Sequence, residues 1–214
     1  MLLDGLTVGP FEENCWLVGA APRCAIVDPG AESGRIFRAV DRLGLVPEKI
    51  LLTHGHVDHI SHCAHVAERY GIGVLVHRDD LPLLEGPQWP ELETLLGARP
   101  CPQPEGFLEE VQPLAVAGLV LRILHTPGHT PGGVCLLHEA SRTILVGDTI
   151  FAGSVGRTDL PGGDWAELER SIRTKLFALD GEWRLLPGHG PETSLARERL
   201  ENPFVGAGAR NALR

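Results

Sequence analysis

The feature that most constrains this chain is a run of metal-ligand side chains at residues 54–59, one residue after the apolar segment 50–52. The run contains His54, His56, Asp58 and His59. Imidazole nitrogen and carboxylate oxygen are ligands that bind zinc, iron and similar divalent ions. On an extended segment the first two histidines point to the same side, and a helix beginning after Val57 would direct the other two ligands to a second position. A histidine-rich surface loop is the alternative, but the run contains no lysine or arginine, so we predict a metal site.

Three later apolar segments end in a similar way, each with a glycine directly before a further ligand-type residue. These residues are His129 after segment 119–124, Asp148 after 143–146, and His189 after 184–186. Glycine lets the backbone approach closely and adopt conformations that other residues avoid. If the strand ends lie along one edge of a pair of sheets, all of these ligands converge there. The pattern therefore predicts one composite site.

The composition is that of an ordinary globular protein and excludes several partners. A chain of 214 residues with 43% apolar and 22% charged residues is long enough for one substantial domain. The formal net charge of −9 argues against a nucleic-acid partner, which would require a basic surface. No signal peptide and no long apolar stretch is evident, so we expect a cytoplasmic protein without a membrane partner.

The five scattered cysteines form no CxxC pair, and we expect reduced thiols, with a Cys15–Cys24 bridge as the alternative.

Hydrophobic periodicity and turn residues predict alternating strands and helices. The predicted strands cover residues 1–9, 15–19, 24–27, 50–53, 74–76, 119–124, 134–137, 143–146 and 184–186. Helices are predicted at 36–43, after His59, from a capping box formed by Asp164 and Glu167, and at about 194–201. Residues 82–106 contain six prolines, and we interpret them as a surface excursion near the site mouth, with a short helical turn at 91–96.

Six segments of the chain resemble the metallo-β-lactamase superfamily and, within it, the glyoxalase II-like thioesterases. The segments are 14–15, 28–30, 53–59, 126–130, 147–151 and 187–191. The resemblance implies an α/β fold, a four-layer αββα sandwich with two mixed β-sheets, and a single domain over residues 1–214. Glutathione-specific members carry an extra C-terminal helical domain, and only 25 residues follow His189, so no separate glutathione-binding domain is expected.

The same resemblance implies a binuclear metal centre of zinc, iron or manganese. The first ion would take His54, His56 and His129, the second Asp58, His59 and His189, and Asp148 would bridge them. Asp58 and Asp148 are the expected catalytic residues, with Asp58 orienting a metal-bound hydroxide that attacks the substrate. A thiol with a pKa of about 8.5 leaves without a dedicated acid, which favours a thioester over an amide. The expected substrates are thioesters of small thiols, such as 2-hydroxyacyl-glutathione.

Residues 153–160 depart from the glutathione-specific pattern and leave a second function open. Those enzymes have a lysine and a tyrosine after the bridging aspartate, whereas this chain has Arg157 and no tyrosine. We expect Arg157 to bind a substrate carboxylate. The sequence Gly-Arg-Thr-Asp in this segment also resembles the persulfide dioxygenases, which hold one iron through two histidines and one aspartate. In this chain the iron ligands would be His56 or a neighbour, His129 and Asp148. A mononuclear iron persulfide dioxygenase is therefore the alternative function.

Several polar residues near the motifs have competing explanations. Asp28 either fixes a ligand imidazole or belongs to a plain Asp-Pro-Gly turn, and the sequence does not decide between the two. His125 is expected to be structural, since it faces away from His129 along the strand. His62 and His65 are expected on a solvated helix face, with a place at the site entrance as the alternative for His62.

Overall fold

The computed structural model describes residues 1–86 and 88–209, and the first sheet within them has six strands. In order across the sheet they are β1 (Leu2–Val8), β2 (Glu13–Gly19), β3 (Arg23–Val27), β4 (Val46–Leu51), β5 (Val74–Val76) and β6 (Gly106–Phe107). Strands β1 to β3 pair antiparallel and β3 to β6 pair parallel, so the sheet is mixed. Every residue of β2 is buried, because both faces of this sheet are covered.

The second sheet is also mixed. In chain order its strands are β7 (Leu114–Val116), β8 (Leu119–His125), β9 (Val134–His138), β10 (Thr143–Gly147), β13 (Arg184–Pro187) and β14 (Thr193–Ser194), and β11 (Ile150–Phe151) and β12 (Ser154–Val155) form a separate small hairpin. The order across the sheet is β14-β13-β10-β9-β8-β7, with β10 and β13 parallel and the other neighbours antiparallel.

The helices connect these strands and cover the outer faces. They are α1 (Ser33–Leu43), α2 (Val57–Ile60), α3 (Cys63–Tyr70), α4 (Leu81–Leu84), α5 (Pro90–Leu96), α6 (Trp165–Ser171) and α7 (Leu195–Glu201). Single 3₁₀ turns occupy Arg78–Asp80 and Glu139–Ser141, and a π-helical turn at Ile172–Leu176 continues α6. Among the residues that the structure describes, no helix has the length and apolar character needed to cross a bilayer.

Apolar side chains fill three layers, one between the sheets and one on each outer face. Along β2, Trp16 and Val18 point into the space between the sheets, whereas Cys15 and Leu17 point outwards, as the period of two in a strand requires. The outward layer packs on α1 and α3, and the outer layer of the second sheet packs on α6, its π-helical continuation and α7. The predicted αββα sandwich is therefore confirmed.

Most predicted elements are present, with ends shifted by one to four residues. Helix α1 ends before Gly44, whose φ of 62° places it in the left-handed region and whose N–H bonds the carbonyls of Val40 and Asp41. The predicted hairpin of β9 and β10 is formed, and the helical turn expected at 91–96 is α5. All five cysteines are free, so no Cys15–Cys24 bridge exists.

Two predictions about helices needed correction. The helix after His59 is interrupted between α2 and α3: the Ser61 N–H and hydroxyl both donate to the Val57 carbonyl, at 3.0 and 2.5 Å, and the helix resumes at Cys63. The capping box at α6 is only half formed. Asp164 accepts from the Glu167 N–H at 2.9 Å, but the Glu167 carboxylate pairs with Arg170 rather than returning to the cap.

Candidate metal centre

Seven predicted ligands meet where β4 of the first sheet and β8, β10 and β13 of the second end. His54, His56 and His129 form what we call the first triad, and Asp58, His59 and His189 form the second triad. Within each triad the ligand atoms lie within 4.8 Å of one another. Each triad takes residues from both sheets, because residues 54–59 follow β4 and the later ligands follow strands of the second sheet. The structure thus brings together the two sets that the sequence predicts.

Three of the histidines are oriented by an acceptor on the side away from the centre. The pairs are His129 Nδ1 with the Arg157 carbonyl at 2.7 Å, His189 Nδ1 with the Phe11 carbonyl at 2.9 Å, and His59 Nδ1 with Asp28 Oδ2 at 3.1 Å. Since a carbonyl or carboxylate oxygen can only accept, each bond holds the ring proton on Nδ1. In the neutral form of each ring the Nε2 lone pair then faces the centre, where it can bind a cation.

Asp28 is the hub of this orienting network on the first sheet. Its carboxylate is buried and accepts from the Thr53 N–H at 2.7 Å and the Thr53 hydroxyl at 2.5 Å, in addition to His59. The same hydroxyl lies 3.1 Å from His54 Nδ1. Asp28 therefore supports ligand residues in both triads, which decides the alternative that the sequence left open.

Asp148 lies between the two triads. Its Oδ1 is 3.4 Å from His59 Nε2, and its Oδ2 is 3.6 Å from the Nε2 atoms of both His129 and His189. Among the described residues, Asp148 Oδ1 and His54 Nε2 are buried without a hydrogen-bond partner. A buried polar atom without a partner costs roughly 1–3 kcal/mol, and a cation between the two atoms would remove that cost. The donor set therefore fits divalent ions.

Protonation states in the first triad favour metal binding. Burial lowers the pKa of His54 well below its ordinary value and lowers the pKa of His56 to about 3. Both rings are consequently neutral at pH 7, and a neutral imidazole is the form that binds metal. His56 Nδ1 and His129 Nε2 approach to 2.8 Å, so two nitrogens of this triad converge closely.

In and beside the second triad, carboxylates lie close to imidazole rings, and the two affect each other's pKa. Burial disfavours the charged form of His59, but the carboxylates of Asp148, Asp28 and Asp58 together outweigh it and raise the pKa of His59 well above its ordinary value. Burial likewise acts against the charge on Asp58, yet the imidazoles of His189, whose Nε2 lies 3.3 Å from Asp58 Oδ2, and of His59 together hold the pKa of Asp58 well below its usual range. The Asp58 carboxylate therefore remains ionised at neutral pH and can compensate positive charge in this triad.

Two glycines permit the close approaches that the sequence predicts. A Cβ at Gly188 would lie 2.2 Å from Asp148 Oδ1 and 2.7 Å from His59 Cε1. A Cβ at Gly128, whose φ is 132°, would lie 2.2 Å from the backbone nitrogen of Leu168. Any side chain at these positions would displace a ligand or the helix behind it.

Asp80 is a supporting residue that the sequence reasoning missed. It is fully buried, and its Oδ2 accepts from the Gly55 N–H and the Thr130 hydroxyl, both at 2.8 Å. Its Oδ1 accepts from the Gly132 N–H at 2.6 Å. One carboxylate thus joins the loop of His54 and His56 to the loop of His129. Its sequence signal was a carboxylate just after the buried strand β5, which neighbours β4.

Arg157 lies at the cleft, but its two ends have different roles. Its carbonyl orients His129, a contact that no sequence pattern indicated. Its guanidinium, which is 61% exposed, binds both carboxylate oxygens of Asp159 at 2.8 Å. Binding of a substrate carboxylate by Arg157 stays a prediction, and such a substrate would have to compete with Asp159.

The remaining histidines outside the triads have structural contacts. His125 Nε2 donates to the Pro131 carbonyl at 2.8 Å, and its ring stacks on His77 with the ring centroids 4.0 Å apart and the planes 12° from parallel. Although these two rings and Asp79 form a third group of ligand types, the lone pairs of stacked rings lie in separate parallel planes and are poorly placed for one ion.

The sequence predicted His62 on a solvated helix face, and this prediction is wrong. Its Nδ1 accepts from the Ser33 N–H at 3.1 Å, and its Nε2 donates to the Leu96 carbonyl at 2.8 Å. The ring therefore ties the end of α5 to the start of α1. His65 stacks on it, with ring centroids 4.6 Å apart.

A cleft of about 770 Å³ opens over both triads. Besides triad residues and Asp148, its walls include Phe11, Trp89, Glu91, Leu92, Leu95, Phe151, Val155, Arg157 and Leu160. Helix α5 supplies one wall, which confirms that part of residues 82–106 lies at the site mouth.

Comparison with known proteins identifies the family. The family described as Metallo-beta-lactamase superfamily matches residues 8–189. An uncharacterized protein of Aquifex aeolicus is 37% identical over 96% of this chain and 98% of its own length. Hydroxyacylglutathione hydrolase GloC of Haemophilus influenzae is 34% identical over 96% of this chain and 98% of its own length.

Solved structures agree with this assignment. The B3 metallo-beta-lactamase BLEG-1 superimposes with a TM-score of 0.87 at 32% identity, covering 95% of this chain and 99% of that one. TTHA1623, solved in a di-iron-bound form, gives 0.86 at 38% identity, covering 94% and 99%. ETHE1 from Myxococcus xanthus gives 0.81 at 26% identity, covering 99% and 87%. The two triads and these similarities lead to one conclusion: the chain belongs to the metallo-β-lactamase superfamily.

Proposed function

We propose that this protein is a binuclear metallohydrolase that cleaves thioesters of small thiols, 2-hydroxyacyl-glutathione among them. The observation that carries the proposal is the position of Asp148, whose two carboxylate oxygens face both triads across 3.4–3.6 Å. That arrangement supports two neighbouring cation positions rather than one. The similarity to a relative named hydroxyacylglutathione hydrolase supports the substrate class.

The chain's own residues would divide the work around the substrate carbonyl. Bound ions in such a site lower the pKa of a water to about 7 and polarise the carbonyl. Asp58 is held in place by His189 and stays ionised, so it can accept a hydrogen bond from a water and orient it towards the carbonyl carbon. Among the described residues that line the cleft, no lysine, tyrosine or cysteine is available as a proton donor to the leaving group. A thiolate needs no such donor, which supports a thioester substrate.

The alternative is a mononuclear iron persulfide dioxygenase, and a specific similarity favours keeping it. ETHE1 from Myxococcus xanthus resembles nearly the whole chain. The Nε2 of His129 lies close to both His56 and Asp148, which makes a two-histidine, one-carboxylate set of the kind that suits ferrous iron. In that case Asp58 and His189 would not be needed.

The deciding experiment measures metal content and two activities on the same purified protein. The hydrolase predicts two metal ions per chain and hydrolysis of S-lactoylglutathione that is lost in His189→Ala. The dioxygenase predicts one iron, oxygen uptake with glutathione persulfide, and retention of that uptake in His189→Ala. A β-lactam serves as a third substrate, because one similar structure is a B3 metallo-beta-lactamase. Absence of thioester hydrolysis in protein loaded with two ions would overturn the proposal.

A further inference from the structure

The walls of the cleft are apolar beside both triads. The ring of Trp89 lies 6.3 Å from the ring of His56 in the first triad. The ring of Phe151 lies 6.2 Å from the ring of His189 in the second triad. A substrate carbonyl placed between the triads would therefore have an apolar surface on each flank.

The mouth of the cleft also exposes large apolar side chains to solvent. Leu95 on α5 is 70% exposed and Phe11 is 48% exposed, and both line the cleft. A single exposed leucine is ordinary, but exposed apolar residues gathered around a catalytic cleft mark a binding surface. Covering them with an apolar ligand would stabilise the complex in proportion to the area removed from water.

The charges around the cleft do not favour an anionic carrier. Asp58, Glu91 and Asp148 supply carboxylates, and Arg157 is the one arginine or lysine among the described lining residues. The Arg157 guanidinium is already bound through two hydrogen bonds to Asp159. Glutathione carries two carboxylates, and the described walls offer no unpaired cation for either of them.

The size of the cleft also favours a substrate group larger than lactoyl. A volume of about 770 Å³ lies within the range of roughly 300–1,000 Å³ that accommodates drug-sized ligands. A lactoyl group of three carbons would leave most of the apolar wall in contact with water.

We propose that the preferred substrates carry an extended apolar chain next to the thioester, which packs on a wall formed by Trp89, Leu92 and Leu95. This inference rests on the proposed thioester hydrolysis and names the substrate class within it. The apolar chain is either the acyl group or the thiol substituent, and both would contact the same kind of surface. Leu95 is then a specificity-determining residue, while the two triads and Asp148 carry the chemistry.

The test uses two series of substrates with the metal-loaded protein. One series lengthens the acyl group from acetyl to octanoyl on N-acetylcysteamine, and the other keeps the acyl group as acetyl and lengthens an alkyl thiol. In one of the series kcat/KM should rise about two- to fourfold for each methylene group that leaves water. The series that responds identifies the side of the substrate that packs on the wall. Values of kcat/KM that stay equal or fall as the chain lengthens in both series would overturn the inference.

A matched pair of variants tests whether the α5 wall is responsible. Leu95→Ser removes an exposed leucine at the cleft, and Leu200→Ser removes a leucine of similar exposure, 66%, on α7, where it does not line the cleft. In the substrate series that responds, the ratio of kcat/KM for the longest chain to that for the shortest should fall at least about threefold in Leu95→Ser and stay unchanged in Leu200→Ser. Equal ratios in the two variants would show that this wall does not select the chain.

Binding without turnover separates this inference from the function on which it rests. Calorimetry with octanoate and acetate should show tighter binding of octanoate, and Leu95→Ser should reduce the difference. If octanoate binds in this way but no thioester is hydrolysed, the proposed function is wrong while the apolar binding surface stands. If thioesters are hydrolysed but octanoate and acetate bind equally, the function stands and the inference about the substrate chain is wrong.

Discussion

At the scale of single residues, the buried carboxylate of Asp80 controls the geometry of the first triad from outside it. Asp80→Asn keeps the shape of the side chain but replaces one carboxylate oxygen by an amide NH₂ group. That group cannot accept the hydrogen bond that a backbone N–H or the Thr130 hydroxyl donates to the carboxylate. We expect a loss of stability of about 1–3 kcal/mol and metal affinity lower by roughly 10–100-fold. Chelator competition and thermal unfolding would measure both.

The control for this variant is the neighbouring Asp79→Asn. The Asp79 side chain is 51% exposed and lies 3.7 Å from His77, away from the ligand loops. The metal affinity of the Asp79→Asn variant should match that of the unmodified protein. Equal losses in the two variants would show that Asp80 has no particular role in holding the loops.

The bridging position of Asp148 gives a second prediction at this scale. Asp148→Ala removes a ligand from both cation positions, whereas Asp58→Ala removes one from the second triad only. After gel filtration, metal per chain should therefore be lower in Asp148→Ala than in Asp58→Ala. Full occupancy by one ion in an active protein that tolerates loss of Asp58 and His189 would contradict the binuclear centre and favour the dioxygenase.

The thiols give a prediction that depends on burial and pKa. Cys101 is partly exposed, while the other four cysteines are buried. Burial raises the pKa of Cys24 to about 12 and of Cys135 to about 11, so both remain protonated, and therefore unreactive, at pH 8. A chromogenic disulfide reagent at pH 8 should titrate one thiol in the folded protein and five after unfolding. Rapid reaction of more than one thiol in the folded state would show that solvent reaches cysteines that the structure buries.

At the scale of elements, helix α6 is packed directly against the loop that carries His129. The Asp164 N–H donates to the Gly128 carbonyl at 2.8 Å, and Gly128 touches the Leu168 backbone. Gly128→Ala would push a Cβ into that backbone, which cannot move aside as a flexible side chain can. We expect a stability loss of about 1–3 kcal/mol together with weaker metal binding.

Gly44→Ala is the matched glycine control. Gly44 also has a positive φ, 62°, but a Cβ there would meet nothing within 4 Å. This change should cost about 1–2 kcal/mol from backbone strain alone and leave metal affinity unchanged. Comparable metal loss in both variants would mean that general destabilisation, rather than the contact with α6, governs the site.

At the scale of the whole molecule, the two sheets share the metal centre, so bound metal should resist their separation. A ligand that binds only the folded state stabilises it by about 4 kcal/mol at a free concentration 1,000 times its Kd. Thermal unfolding should therefore shift upwards with zinc, iron or manganese and downwards after chelation. An unfolding temperature that does not respond to metal would argue against ligands from both sheets binding the same ions.

The sequence by itself determined which seven side chains meet at the candidate metal centre and the fold that brings them together. Short-range patterns carry both: apolar strands end in glycine and a ligand, and imidazole and carboxylate side chains have a metal chemistry that does not depend on context. The break between α2 and α3 leaves no signal in the apolar periodicity, and the capping box is half formed because the Glu167 carboxylate pairs with Arg170. His62 was misplaced because its partners, the Ser33 N–H and the Leu96 carbonyl, are remote in sequence.

Only the tertiary structure decided how the ligands are held and what surrounds them. Asp80 reaches Gly55 and Thr130 across 25 and 50 residues of chain, and no local pattern records such a contact. The carbonyls of Phe11 and Arg157 orient His189 and His129, and a backbone carbonyl is common to every residue type, so it leaves no mark in the sequence. The apolar wall on α5 likewise becomes part of the cleft only when residues 89–95 fold over the triads. Ligand identity follows from side-chain chemistry, whereas orientation and access follow from long-range packing.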